Sequence, residues 1–121
     1  MMSSPPPLPG EKRKSSRIEI IAQVQCRTDG EVYILRARNA SEGGLFLEGS
    51  AADHPLLRPG VEVSLGLLPD EFLDTEPIAL RGRVVRVDAG GPGRKPGFGV
   101  QITGIGPKSR QRFLALLRLA K

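Results

Sequence analysis

From Ile18 to Thr103 every apolar run is short, and each is cut off by glycine, proline or an Asp-Gly pair. Where a run can be followed, apolar and polar residues alternate. In residues 18–27, IEIIAQVQCR, Ile18, Ile20, Ala22, Val24 and Cys26 fall on one side of an extended chain. Glu19, Gln23, Gln25 and Arg27 fall on the other. Asp29-Gly30 then reads as the tight turn of a hairpin. Further strands are expected at residues 31–39, 45–48, 61–68, 78–88 and 98–103. Residues 40–44, ASEGG, turn sharply, because both glycines tolerate positive φ. Residues 49–60 carry Pro55 and Pro59 and read as a loop, residues 69–77 as an acidic connection, and residues 89–97 as a glycine- and proline-rich loop.

The pattern changes at Pro107, a residue suited to a first helical turn. Arg110, Phe113, Leu114, Leu116, Leu117 and Ala120 recur at helical spacing. The helix is expected to run to Lys121 with Phe113, Leu114 and Leu117 on its apolar face. Short strands followed by one helix predict an all-β fold, a six-stranded antiparallel barrel. The helix would cover an open end or an edge.

A chain of 121 residues is long enough for one domain. With 39% hydrophobic residues, 4% aromatics and no Trp, its core must be aliphatic. Residues 1–10, MMSSPPPLPG, cannot bury enough surface to offset the entropy of ordering and form a tail. Residues 11–17, EKRKSSR, are a charged arm; the barrel takes residues 18–104 and the helix residues 107–121. The tail lacks the charged and apolar regions of a secretory signal. No run approaches the roughly 18 apolar residues of a membrane span. Cytoplasmic location and no membrane insertion are therefore expected.

Cys26 is the single cysteine, so no internal disulfide exists, and a lone Cys in a strand reads as a small buried apolar residue. His54 is also single, without the partners of a zinc site. Asp70, Glu71, Asp74 and Glu76 have no histidine or nucleophile beside them and read as solvated. No catalytic group, metal or cofactor is expected, and the chain is not read as an enzyme. Lys and Arg outnumber Asp and Glu by 18 to 13, a formal charge of +5, which favours an anionic partner.

Two segments carry chemistry. One is Arg13-Lys14-Ser15-Ser16-Arg17, ahead of the first strand; the other is Asn39-Ala40-Ser41-Glu42-Gly43-Gly44, between the second and third. Taken singly, the arginines read as solvated charges, and Asn39 and Ser41 as turn residues bonding their own backbone. Taken together they resemble the PilZ family, whose signature is Arg-x-x-x-Arg followed further along by Asp/Asn-x-Ser-x-x-Gly. The later runs RGRVVRVD and PGFGVQIT are also similar to that family, and the resemblance covers residues 11–121.

The resemblance implies a PilZ-type barrel that binds cyclic di-GMP through Arg13, Arg17, Asn39, Ser41 and Gly44, with a protein partner reached through the barrel surface or the arm. The chemistry agrees. An arginine fork pairs with phosphate oxygens or with guanine O6 and N7, and its face stacks on a base. Asn39 both donates and accepts, Ser41 brings a small hydroxyl, and Gly44 allows close backbone approach. Arg81, Arg83, Arg86, Arg94 and Lys95 either extend this positive face or form an ordinary solvated one, and the solvated reading is favoured. The alternative is a PilZ-like protein adaptor that does not bind the nucleotide; the complete motif argues against it. A nucleic-acid partner is not expected, since single-strand binders need aromatic platforms and this chain has few aromatics to spare.

Overall fold

The computed structural model describes residues 18–69 and 76–119. Within them six strands precede one helix: β1 (Ile18–Thr28), β2 (Glu31–Ser41), β3 (Gly44–Glu48), β4 (Glu62–Pro69), β5 (Ile78–Asp88), β6 (Gly97–Gly104) and α1 (Pro107–Leu119). Every strand pairing is antiparallel. The strands close in the order β1-β2-β3-β6-β5-β4, so the expected six-stranded barrel with a terminal helix is the fold observed. The tail, the arginine arm with Arg13 and Arg17, the acidic residues Asp70, Glu71 and Asp74, and Lys121 lie outside the described residues.

Local chemistry explains the first hairpin. Asp29 and Gly30 both take positive φ, 50° and 81°, the pair of left-handed residues that a two-residue turn requires. The turn between β2 and β3 works differently from the expectation. Neither Gly43 nor Gly44 uses positive φ. Ser41 instead accepts a hydrogen bond at its Oγ from the Gly43 N–H, at 3.3 Å.

The interior is aliphatic, as the composition requires. Ile20, Ala22, Val24 and Cys26 of β1 point inward beside Leu65 and Leu67 of β4 and Leu45 and Leu47 of β3. Phe98 and Phe113 are the aromatic rings of this core. The helix buries Phe113, Leu116 and Leu117, with Leu114 half-buried at its border. That places the inward stripe at i, i+3 and i+4 from Phe113 and shifts its centre from Leu114 to Leu116. Burial of each such side chain stabilises the fold by about 1.5–3 kcal/mol. Because the barrel is closed, α1 covers an end and no edge. It follows β6, whereas the loop from β3 to β4 crosses the opposite end. There Leu57 is buried and His54 stands edge-on to both Tyr33 and Phe98.

Two bulges decide which way the later residues of β2 and β5 point. Ala37 and Asn39 of β2 face Leu47 and Phe46 of β3, so Arg38 is an extra residue on β2. Val84 and Arg86 of β5 face Val100 and Gly99 of β6, so Val85 is an extra residue on β5. An extra residue reverses the alternation beyond it. Without the bulges, Asn39 would continue the inward series of Leu35 and Ala37, and Arg86 that of Leu80 and Val84. With them, both side chains turn outward.

Candidate ligand-binding site

The re-aimed residues meet in one row across four strands. Asn39 of β2 pairs with Phe46 of β3, Phe46 with Gly99 of β6, and Gly99 with Arg86 of β5. A cleft of about 380 Å³ lies over this row. It is lined by Glu19, Arg38, Asn39, Phe46, Arg86, Asp88, Arg94 and Lys95.

The floor depends on missing side chains. Phe46 is buried yet stands apart from the interior core, because its strand neighbours Leu45 and Leu47 point inward and it does not. Its ring lies against Gly97, where any Cβ would collide with it. The Arg86 side chain crosses Gly99, where a Cβ would come within 3.0 Å of the Arg86 Cγ and Nε. Glycine at alternate positions of β6 thus leaves a shallow bed for one aromatic ring and one guanidinium.

Four cations and two carboxylates share the cleft. Asp88 organises the loop beyond β5. One of its oxygens accepts the Gly90 N–H at 2.9 Å, and the other pairs with Arg94 at 3.1 Å. The Gly90 hydrogen bond, then the nearby charges of Arg94 and Arg86, hold its carboxyl below the usual carboxylate range. Gly91 and Arg94 exchange backbone hydrogen bonds in both directions, at 3.0 and 2.9 Å, so the loop is tightly folded. Arg38 stands 3.8 Å from Glu48. Lys95 has no partner among the described residues.

Ser41 and Gly44 form the neighbouring outward row, since they pair with each other and Gly44 pairs with Gln101. A Cβ on Gly44 would stand 2.7 Å from the Val100 carbonyl oxygen, so close strand packing alone already demands glycine. Arg83 lies further along that row and is paired with Glu62 at 2.8 Å. Arg81 faces another part of the barrel, opposite Ser64 and Gly104. The five strand and loop cations therefore divide. Arg86, Arg94 and Lys95 join Asn39, while Arg81 and Arg83 do not. All five are exposed, as the favoured reading of an ordinary solvated face has them, and three of them border the Asn39 cleft, whose floor is the buried Phe46. The legible signal was the Gly97-Phe98-Gly99 triplet, which strips one face of β6 bare.

Chemically, the cleft offers a planar cation laid flat on the barrel, an amide beside it, and two further cations on a fixed loop. That set fits a ligand with a flat polar ring and adjoining anionic groups.

Comparison with known proteins agrees with the fold. Inhibitor of motility (MotI/DgrA) from Bacillus subtilis is similar with a TM-score of 0.70 and 23% identity, over 90% of this chain and 49% of that one. MrkH from K. pneumonia, solved as a c-di-GMP complex, gives a TM-score of 0.68 and 17% identity over 88% of this chain and 51% of that one. The PilZ domain of YcgR from Escherichia coli, solved with c-di-GMP, gives 0.64 and 11% over 90% and 91%. The chain spans about half the length of the first two. A search of curated proteins gave no match. The family model described as PilZ domain matches residues 11–119, nearly the whole chain, and by that match the chain belongs to the PilZ family.

Proposed function

We propose that this chain is a receptor for cyclic di-GMP, held between the Asn39 cleft and the arginine arm. The observation that carries the reading is the outward row in which Asn39 of the Asn-x-Ser-x-x-Gly segment shares one cleft with Arg86, Arg94 and Lys95. Two of the similar structures are complexes with c-di-GMP, which supports the same ligand class here. In this reading Arg13 and Arg17 clamp the ligand from the arm. Asn39 and Ser41 meet a guanine edge or phosphate through their polar groups. Gly44 keeps the hairpin close to β6, and Arg86 stacks on a base.

Adjacency in the sequence supports this role for the arm. Arg17 directly precedes β1, and Glu19, two residues on, both pairs with Asn39 and lines the cleft. Ligand binding would order residues 11–17 over the barrel and present a new surface to a protein partner.

Calorimetric titration with cyclic di-GMP, with GTP and cyclic GMP as controls, tests the reading. Preference for cyclic di-GMP is expected, and equal weak binding of all of them would reduce it to nonspecific charge. In the same assay Arg17→Ala should weaken binding far more than Arg83→Ala. Losing a charge-assisted hydrogen bond costs about 1.5–3 kcal/mol, roughly a 10- to 150-fold loss of affinity. Arg83 is occupied by Glu62 and exposed to screening salt. A flat titration returns the chain to the adaptor reading.

A further inference from the structure

A second cleft, of about 750 Å³, lies on a different part of the barrel and shares no lining residue with the first. It centres on β4, a strand that the Asn39 cleft does not touch. Its cross-strand order is explicit. Arg27 of β1 pairs with Ser64 of β4, Ser64 with Arg81 of β5, and Arg81 with Gly104 of β6. One step along, Gln25 pairs with Gly66 and Gly66 with Ala79. The floor is therefore made of small residues, with two arginines on either side of a serine at one end.

The walls are fixed. Residues 104–106 and Ser109 bound one side, and Glu76 and Pro77 another. Arg112 of α1 donates to the carbonyl oxygens of both Glu76 and Pro77, at 2.5 and 3.4 Å, and ties the helix to the start of β5. Beyond the lip, on β2, Val32 and Ile34 are 52% and 55% exposed and pair with Arg27 and Gln25. An apolar strip thus runs beside the arginines, outside the cleft proper.

The side chains of Arg27 and Arg81 make no hydrogen bond or ion pair among the described residues. This sets them apart from Arg83, Arg94 and Arg38, each of which is paired. Two guanidinium groups unpaired among the described residues, beside Pro77, Ala79, Ile105 and an exposed Val-Ile pair, make a surface that is basic at one end and apolar along its length. Arginine beside apolar surface is a favoured composition for a protein interface. No aromatic residue lines the cleft, so it lacks the stacking platform that single-stranded nucleic acid uses.

We propose that this cleft docks an acidic segment of a partner protein. The segment's carboxylates pair with Arg27 and Arg81 across Ser64, and its apolar side chains lie on Pro77, Ala79, Val32 and Ile34. The proposal stands on residues other than those of the nucleotide reading and does not depend on it. It also leaves room for both sites to be filled at once.

Selection of a random dodecapeptide phage library on the full chain tests it. Enriched peptides should be acidic and carry Leu, Ile or Phe. Their binding should fall at least tenfold in the Arg27→Glu/Arg81→Glu variant, whose thermal midpoint serves as the folding control. With an enriched peptide added, amide shifts of the 15N-labelled protein should move at residues 25–27, 64–66, 79–81 and 104–109. Peptides without net negative charge, undiminished binding by the variant, or shifts gathered around Asn39 and Arg86 would overturn the proposal. Failure to enrich any peptide, or tighter binding of an oligothymidine than of the selected peptide, would overturn it too.

Discussion

Gly44 shows how a motif position can carry a packing demand of its own. Its place in the binding motif makes it read as a ligand contact, yet a methyl group there would stand 2.7 Å from the Val100 carbonyl oxygen. Relief would require β3 and β6 to separate, and overpacking of that kind costs about 1–3 kcal/mol. Gly44→Ala should therefore lower stability by that amount in urea denaturation, with no ligand present. Unchanged stability would restore a purely ligand-facing role. Cys26 makes the complementary case, a residue that the sequence reads correctly. It is fully buried, and burial pushes its thiol up to about 11. A thiol that high is almost entirely protonated at pH 8, and it is shielded as well. Iodoacetamide should leave it unmodified in the native protein and label it on unfolding in urea; brisk native labelling would contradict the burial. The difference between the two residues is one of range. Burial of Cys26 follows from alternation within its own strand, whereas the constraint on Gly44 comes from a strand far away in the chain.

At the level of elements, alternation made the barrel legible and the site partly illegible. Strand positions, the Asp29-Gly30 turn and the terminal helix all follow from local periodicity and turn chemistry. The bulges do not, because an extra residue shows itself only against the partner strand. Extending the inward series would have buried Asn39 and Arg86; Arg38 and the exposed Val85 absorb the shift. The β5–β6 loop adds a second element-scale device. Asp88 holds it at Gly90 and Arg94, and these partners draw its carboxyl below the ordinary range. A depressed folded value means that the tie is fully present above the unfolded Asp value, about 3.9, and is lost as pH falls through the lower folded one. The loop should thus stay pinned at pH 5 and release only in strong acid. In an NMR titration the Asp88 carboxyl and the Gly90 amide should share one midpoint below the usual Asp value. A midpoint at or above it would show that the tie is not made.

At the scale of the whole molecule, a closed barrel leaves any ligand-driven change to its surface and its appendage. The strands are joined all round, and the core is continuous with α1, so ligand binding has little inside the barrel to rearrange. The arm is different in kind. Residues 11–17 contain no apolar side chain, and Lys12, Arg13, Lys14 and Arg17 repel one another. That composition offers no apolar anchor, and the cleft it would meet carries four cations, Arg38, Arg86, Arg94 and Lys95, against the carboxylates of Glu19 and Asp88. A bound ligand with two phosphates would reverse the balance. Ordering costs about 1–2 kcal/mol per backbone residue, and each charge-assisted hydrogen bond returns about 1.5–3 kcal/mol. In the proposed mechanism, two arginines making several such bonds would suffice to hold the short stretch from Arg13 to Arg17, and relief of like-charge repulsion would add to the gain. At roughly 3.3–3.6 Å per extended residue, an extended arm would let Arg13 reach about 16–18 Å from Ile18. Backbone amide exchange with and without cyclic di-GMP separates this mechanism from a passive one. Residues 11–17 should gain protection on saturation, while Glu62–Pro69 of β4 keeps its free-state rates. An arm protected before ligand is added, or one still exchanging freely in the saturated complex, would eliminate arm ordering as the output step.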